Sequence, residues 1–152
     1  MPTVTIEAIH AKQTELAAMI EQLTQQSSKT TVIEIESCDI ELAPGEHYAG
    51  AVLDENGEHK HHLVMMAQRP ANKLNWQAAM DWATSIGGVL PTRQEQALLY
   101  ANCKPHLKPE WHWSCESHDD DASCAWHCHF SYGDQSSLPR SYEGCAVAVR
   151  RF

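Results

Sequence analysis

The chain has 152 residues, 20 of them acidic and 11 basic, for a formal net charge of −9, and 43% of the residues are hydrophobic. That length holds one domain with a real core plus a short appendage, and the net negative charge opposes a phosphate backbone, so nucleic acid is not an expected partner. No run of about eighteen apolar residues exists, so membrane insertion is not expected either.

The opening stretch MPTVTIEAIHAKQ lacks the basic and then apolar pattern of a signal peptide. The expected location is the cytoplasm at synthesis. In that reducing compartment Cys38, Cys103, Cys115, Cys124, Cys128 and Cys145 are expected as free thiols.

The first predicted element is an amphipathic helix over residues 5–25, the core of an N-terminal segment spanning 1–26. Ile6, Ile9, Gln13, Leu16, Ile20 and Leu23 recur at alternating spacings of three and four, a heptad seam. A helix of about three heptads is marginal alone, so its stripe must bury against its own domain or against other copies of itself. Isoleucine at Ile6, Ile9 and Ile20 around the polar Gln13 leans toward three strands. Ile6, Ile9, Leu16, Ile20 and Leu23 are therefore the expected oligomerisation residues, and a homotrimer is the expected self-partnership.

A polar linker over 25–31 is expected next, and it separates the helix from a domain spanning 32–152. TVIEIES alternates apolar and polar residues and predicts a short strand. HYAGAVL and HKHHLVMM flank Asn56-Gly57, which predicts a hairpin closed by positive φ angles. His59, His61 and His62 on its second arm read as a solvated strand face that deters edge pairing.

Asn75 can cap a helix whose face is Trp76, Ala79, Met80, Ala83 and Ile86, stopped by Gly87-Gly88. Thr92 and Glu95 stand in a capping-box relation at the start of a second helix. Beyond Pro105 the sequence predicts short strands, WHWSC, CAWHCHFSY and GCAVAVRRF, separated by long polar loops. The order gives an α+β fold.

Taken together, Trp76-x2-Ala79-x3-Ala83, Gly87-Gly88, Leu90-Pro91-Thr92-Arg93-x-Glu95, Trp111-x-Trp113-Ser114, Ala125-Trp126, Phe130-x2-Gly133 and Ala148-Val149-Arg150-Arg151 resemble a phage and bacterial domain family. That family is named for the C-terminal domain of a Legionella collagen-like protein and is grouped with the C-type-lectin-like superfamily. The resemblance covers roughly residues 45–152. It implies a C-type-lectin-like domain, with two helices against small antiparallel sheets and long loops, preceded here by the coiled-coil helix. It also implies a non-enzymatic binding protein, often phage-encoded and carried on trimeric fibres, so that a virion-associated location is implied as well.

Residues 111–130, WHWSCESHDDDASCAWHCHF, gather three tryptophans, three cysteines and four histidines. Zinc is the sharp reading of that composition. Structural zinc sites use knuckles such as C-x2-C, and here Cys124 and Cys128 on one strand face would stand about 13 Å apart, too far to share an ion. A zinc-stabilised module is thus the lesser reading. The run Asp119–Asp121 reads as a solvated acidic loop, because adjacent aspartates do not curl around calcium unaided. No metal, no cofactor and no nucleophile–base–oxyanion constellation is assigned, so the chain is not expected to be an enzyme.

What remains is a recognition surface. Trp76, Trp111, Trp113 and Trp126 read as anchors. The residues expected to touch a ligand are His112, Cys115, His118, Cys124, His127, His129, Tyr132, Asp134 and Tyr142, displayed between Pro105 and Tyr142. Small polar residues and tyrosines at these positions also match those that adenine-directed diversification reaches in some phage lectin-like domains, so variable loops are an expectation that follows the resemblance. The expected partner is a host-surface glycan or protein. The alternative is a small intracellular phage protein that binds a host protein, for example a defence component.

Overall fold

A computed structural model describes residues 4–27, 32–35 and 37–152. The chain divides into two compact units, Met1–Glu34 and Ile35–Phe152.

In the first unit, α1 runs from Ile6 to Ser27. Thr5 caps it, its hydroxyl accepting from the Ala8 amide at 3.3 Å and satisfying one of the four amides that a helix start leaves free. The seam side chains Ile6, Ile9, Leu16, Ile20 and Leu23, with Met19 beside them, are between 47% and 74% exposed. Of the predicted linker, residues 25–27 belong to this helix, and 28–31 lie outside the described residues.

The predicted strand TVIEIES is a correction. Thr31 and Glu36 lie outside the described residues, and the remainder is irregular, with Val32, Ile33 and Ile35 exposed. Alternation makes a strand only where a neighbour takes up its amides and carbonyls, and no described strand pairs with this segment.

The second unit is mixed α and β. Strands β1 (His47–Leu53) and β2 (His59–Met65) form the expected hairpin. Its turn differs from the expected one: only Gly57 has positive φ, +79°. The Asp54 side chain accepts from the Asn56 and Glu58 amides at 2.9 and 3.0 Å, so an aspartate-braced turn with one left-handed glycine replaces a pair of left-handed residues.

Helix α2 (Trp76–Ser85) is capped by Asn75, which accepts from the Ala78 amide. Trp76, Ala79 and Ala83 are buried, and Met80 and Ile86 pack on that same core. Helix α3 (Arg93–Cys103) carries the full Thr92–Glu95 capping box.

Strands β3 (Trp111–Ser117), β4 (Cys124–His129) and β5 (Asp134–Pro139) make one antiparallel sheet in that order. The last strand, β6 (Val149–Arg151), pairs with β2 to complete the other sheet, whose order is β1-β2-β6. Strand β5 was expected as loop. It carries serines and a proline and alternates weakly, yet all six residues register against β4, and a proline at the end of an edge strand costs no inner-ladder bond.

Two cores hold the unit. One gathers Ala49, Val52, Leu63, Met65, Leu99, Cys128, Phe130, Val147 and Val149. The other gathers Trp76, Ala79, Ala83, Leu90, Trp113, Ala125, Ala146 and Ala148. Side chains of the closing segment alternate, with Val147 and Val149 entering the first core and Ala146 and Ala148 the second. The alternation begins before the strand itself, because only Val149–Arg151 are paired as strand. All six cysteines are free thiols.

The histidine reading of the hairpin needs correcting. Strand β2 is the central strand of its sheet, and of the three histidines it is His62 that is paired on both sides, with Ala51 of β1 and with the Phe152 backbone. His62 is only 9% exposed and meets the Tyr48 hydroxyl through Nδ1 at 2.9 Å, and His61 Nε2 reaches the Glu95 carboxylate at 2.8 Å.

Candidate functional site

The residues expected to touch a ligand do not form one surface. Strand register decides which of them meet.

His129 stands opposite Asp134 across β4 and β5, and His127 stands opposite Ser136. Since alternate strand residues share a face, His127, His129, Asp134 and Ser136 lie on one side of the sheet. Tyr132, in the turn closed by the Gly133 amide bonding to the His129 carbonyl at 2.8 Å, lays its ring on that of His129, centroids 5.4 Å apart and planes 26° from parallel. Tyr132 is 73% exposed. Trp111 backs the patch: its indole lies 5.1 Å from the His127 ring and edge-on to the buried Trp113. Burial first, and then the charge of His129, pushes the His127 pKa below its ordinary value, which favours the neutral ring, and its Nδ1 is buried without a hydrogen-bond partner.

Four of the nine expected residues, His127, His129, Tyr132 and Asp134, are thus brought together. His118 stands elsewhere, stacked on Trp126 at 5.1 Å. Trp126 also carries the Arg93 guanidinium 3.6 Å from its ring centroid. Cys124 is tied into the acidic loop, its thiol donating to Asp121 at 3.4 Å; the same carboxylate holds the Ser123 amide and hydroxyl at 2.9 and 2.6 Å. Tyr142 is exposed beyond β5.

His112 is a correction. It is 2% exposed, edge-on to Phe130 at 4.9 Å, with Nδ1 on the Glu110 carbonyl at 3.0 Å. Facing inward opposite Cys128, it is a core residue that no ligand can reach. Burial depresses its pKa to about 4, so it packs as a neutral ring.

Cys115 lines a different feature, a cleft of about 570 Å³ between the α3 start and the β1-β2-β6 sheet, with Lys60, His61, Arg93, Glu95, Glu116 and Arg151 around it. Glu95 is its hub and is fully buried. Its carboxylate accepts from Arg151 Nε and Nη2 at 2.6 and 2.9 Å, from His61 Nε2 at 2.8 Å and from the Thr92 amide at 2.8 Å. Burial alone would raise its pKa, but these hydrogen bonds and the arginine charge outweigh burial and hold it below the ordinary carboxylate range. Glu116 accepts from the Arg93 amide at 2.6 Å. The Cys115 thiol is pushed up by burial, and so is protonated and a poor nucleophile.

Sequence reasoning missed this charged cleft because the Thr92–Glu95 signal was read only as a helix start. A glutamate at that position has two oxygens, and a second, distant cation can use what the cap leaves. Among the described residues, no group of three or more histidines, cysteines and carboxylates is placed to hold a metal ion, and no helix is long and apolar enough to cross a membrane. No protein-family model matches the chain, and no curated protein matches it.

Proposed function

We propose that the chain is a non-enzymatic binding protein, encoded by a phage or prophage and associated with a virion or fibre. In this reading a C-type-lectin-like domain presents a recognition surface and α1 joins three copies. The observation that carries the proposal is the exposed Tyr132 ring stacked on His129 beside Asp134. An aromatic platform flanked by imidazole and carboxylate groups offers stacking and directional hydrogen bonds together, the combination that suits a sugar ring or a polar protein surface. The order of elements and the tryptophan anchors fit the family resemblance. Cys103, Cys115, Cys128 and Cys145 are buried or half-buried with pKa values raised by burial, which suits packing better than nucleophilic attack. Three linked copies would raise a weak single-site affinity through effective concentration.

The test is binding to glycan arrays and host-surface protein arrays by the whole chain and by a His129→Ala/Tyr132→Ala double variant, with light scattering alongside. The expected result is a mass near three times the 17.0 kDa of one chain and an array signal that the double variant lowers by about tenfold or more, as loss of a stacking platform does. A monomer that binds an intracellular host protein and no surface ligand would instead support the alternative of a small intracellular phage protein. An unchanged signal from the double variant would remove the Tyr132–His129 surface from the proposal.

A further inference from the structure

We infer that α1 joins its copies in parallel and in register, with Gln13 as the element that sets the alignment. This rests on reading α1 as the joining helix.

The seam has six layers, Ile6, Ile9, Gln13, Leu16, Ile20 and Leu23, and its apolar members are exposed along the helix. Charge does not choose an orientation. The carboxylates Glu7, Glu15 and Glu21 fall on the outer side of the heptad, away from the seam, and the flanking positions hold Thr5, His10, Lys12, Ala17, Met19, Thr24 and Gln26. With no acid beside the seam, neither direction gains an ion pair between helices. The flanking Ala17 and Met19 widen the apolar band, which suits more than two helices.

The one polar layer decides. In a parallel, in-register arrangement Gln13 meets only Gln13, and three carboxamides close a ring in which each donates to the next and accepts from the one before. An antiparallel neighbour centred on the same seam places Leu23 against Ile6, Ile20 against Ile9 and Leu16 against Gln13. A shift of one heptad places Gln13 against Ile6 or Ile20. Each of these buries an amide against hydrocarbon, a loss that a purely apolar seam would not impose.

The experiment introduces single thiols into the full chain, Ile9→Cys and Ile20→Cys, and treats each variant and their mixture with a short bifunctional maleimide. Peptide mass mapping separates these links from any at the native cysteines. Parallel alignment predicts links from position 9 to itself and from 20 to itself, exceeding 9-to-20 links by about tenfold or more, the ratio that one unsatisfied buried amide imposes. In the antiparallel case the two copies of position 9 stand roughly 16 Å apart along the axis, from a rise of 1.5 Å per residue, so 9-to-20 links would dominate and overturn the inference. Replacing Gln13 by Leu in the same background should tighten association while 9-to-20 links appear; unchanged link ratios would equally overturn the role given to Gln13. A chain that light scattering finds monomeric gives no links at either position, and that outcome sinks the joining role of α1 itself.

Discussion

Arg151 grips Glu95 with two parallel hydrogen bonds, 2.6 and 2.9 Å long, and so ties the last strand to the first turn of α3 across 56 residues of sequence. Glu95 is fully buried, whereas the Arg151 side chain is 35% exposed. The two ends of the pair are therefore unequal. Arg151→Ala leaves a buried carboxylate with one cation fewer and should cost about 3 kcal/mol, and Glu95→Gln, which keeps the helix cap and leaves an arginine able to turn toward water, should cost about 1–2 kcal/mol. Urea denaturation of the two variants checks the order; a larger loss for Glu95→Gln would contradict it.

Stability should fall with acid. His112 is held near pKa 4 in the folded chain, against an ordinary 6.5. Between those values the unfolded chain takes up a proton that the folded chain refuses. The contribution is complete above about pH 6.5 and disappears as pH falls, at about 1.4 kcal/mol per pH unit and roughly 3 kcal/mol in all. Glu95, held below its ordinary 4.5, adds a second loss beneath that pH. Urea midpoints measured from pH 7.5 to 4.5 should slope downward, and His112→Gln should flatten the slope while lowering the neutral-pH value.

The thiols should react in an order set by burial. Cys38 is exposed and should be alkylated first. Cys103 is buried and its pKa is raised, and burial pushes Cys128 and Cys145 up to about 11, with the Glu110 carboxylate adding to the rise at Cys145. These three should resist iodoacetamide at pH 7.5 until denaturant is added. Timed alkylation read by peptide mass would show it, and early modification of Cys128 would count against the described core.

Gly144 lies directly under the Trp111 indole, so that even a methyl group there would overlap the ring. Gly144→Ala should cost about 2–3 kcal/mol through overpacking and should displace Trp111, and with it the ring behind His127. Near-UV circular dichroism and array binding are expected to change together. A variant with native aromatic signals and reduced binding would separate the two.

Much of the second unit was legible because local signals carry it. Asn75 and Thr92 announce helices by the side-chain oxygen they offer to free amides, and Asn56-Gly57 marks a hairpin whichever turn type closes it. The failures share a cause, which is that they depend on neighbours. Val32–Ile35 has the right alternation and no described partner strand; Asp134–Pro139 has a poor pattern and β4 to pair with. His112 and His127 are both histidines on neighbouring strands among tryptophans, yet His112 is 2% exposed beside Phe130 in the first core and His127 is half-buried beside Trp111 on the opposite face of the sheet, a distinction that follows from pairing register. The Glu95–Arg151 cleft could not be read at all, since nothing local to either residue points to the other.

Residues 146–149 divide their side chains between the two cores, and this should couple their melting. Loss of packing in either core would withdraw the shared segment from the other, so a partly melted form in which one survives is not expected. Heating should therefore give one transition for this unit, with calorimetric and van't Hoff enthalpies equal. Substitutions on the surface patch would then change its chemistry while the thermal transition behind it stays in place.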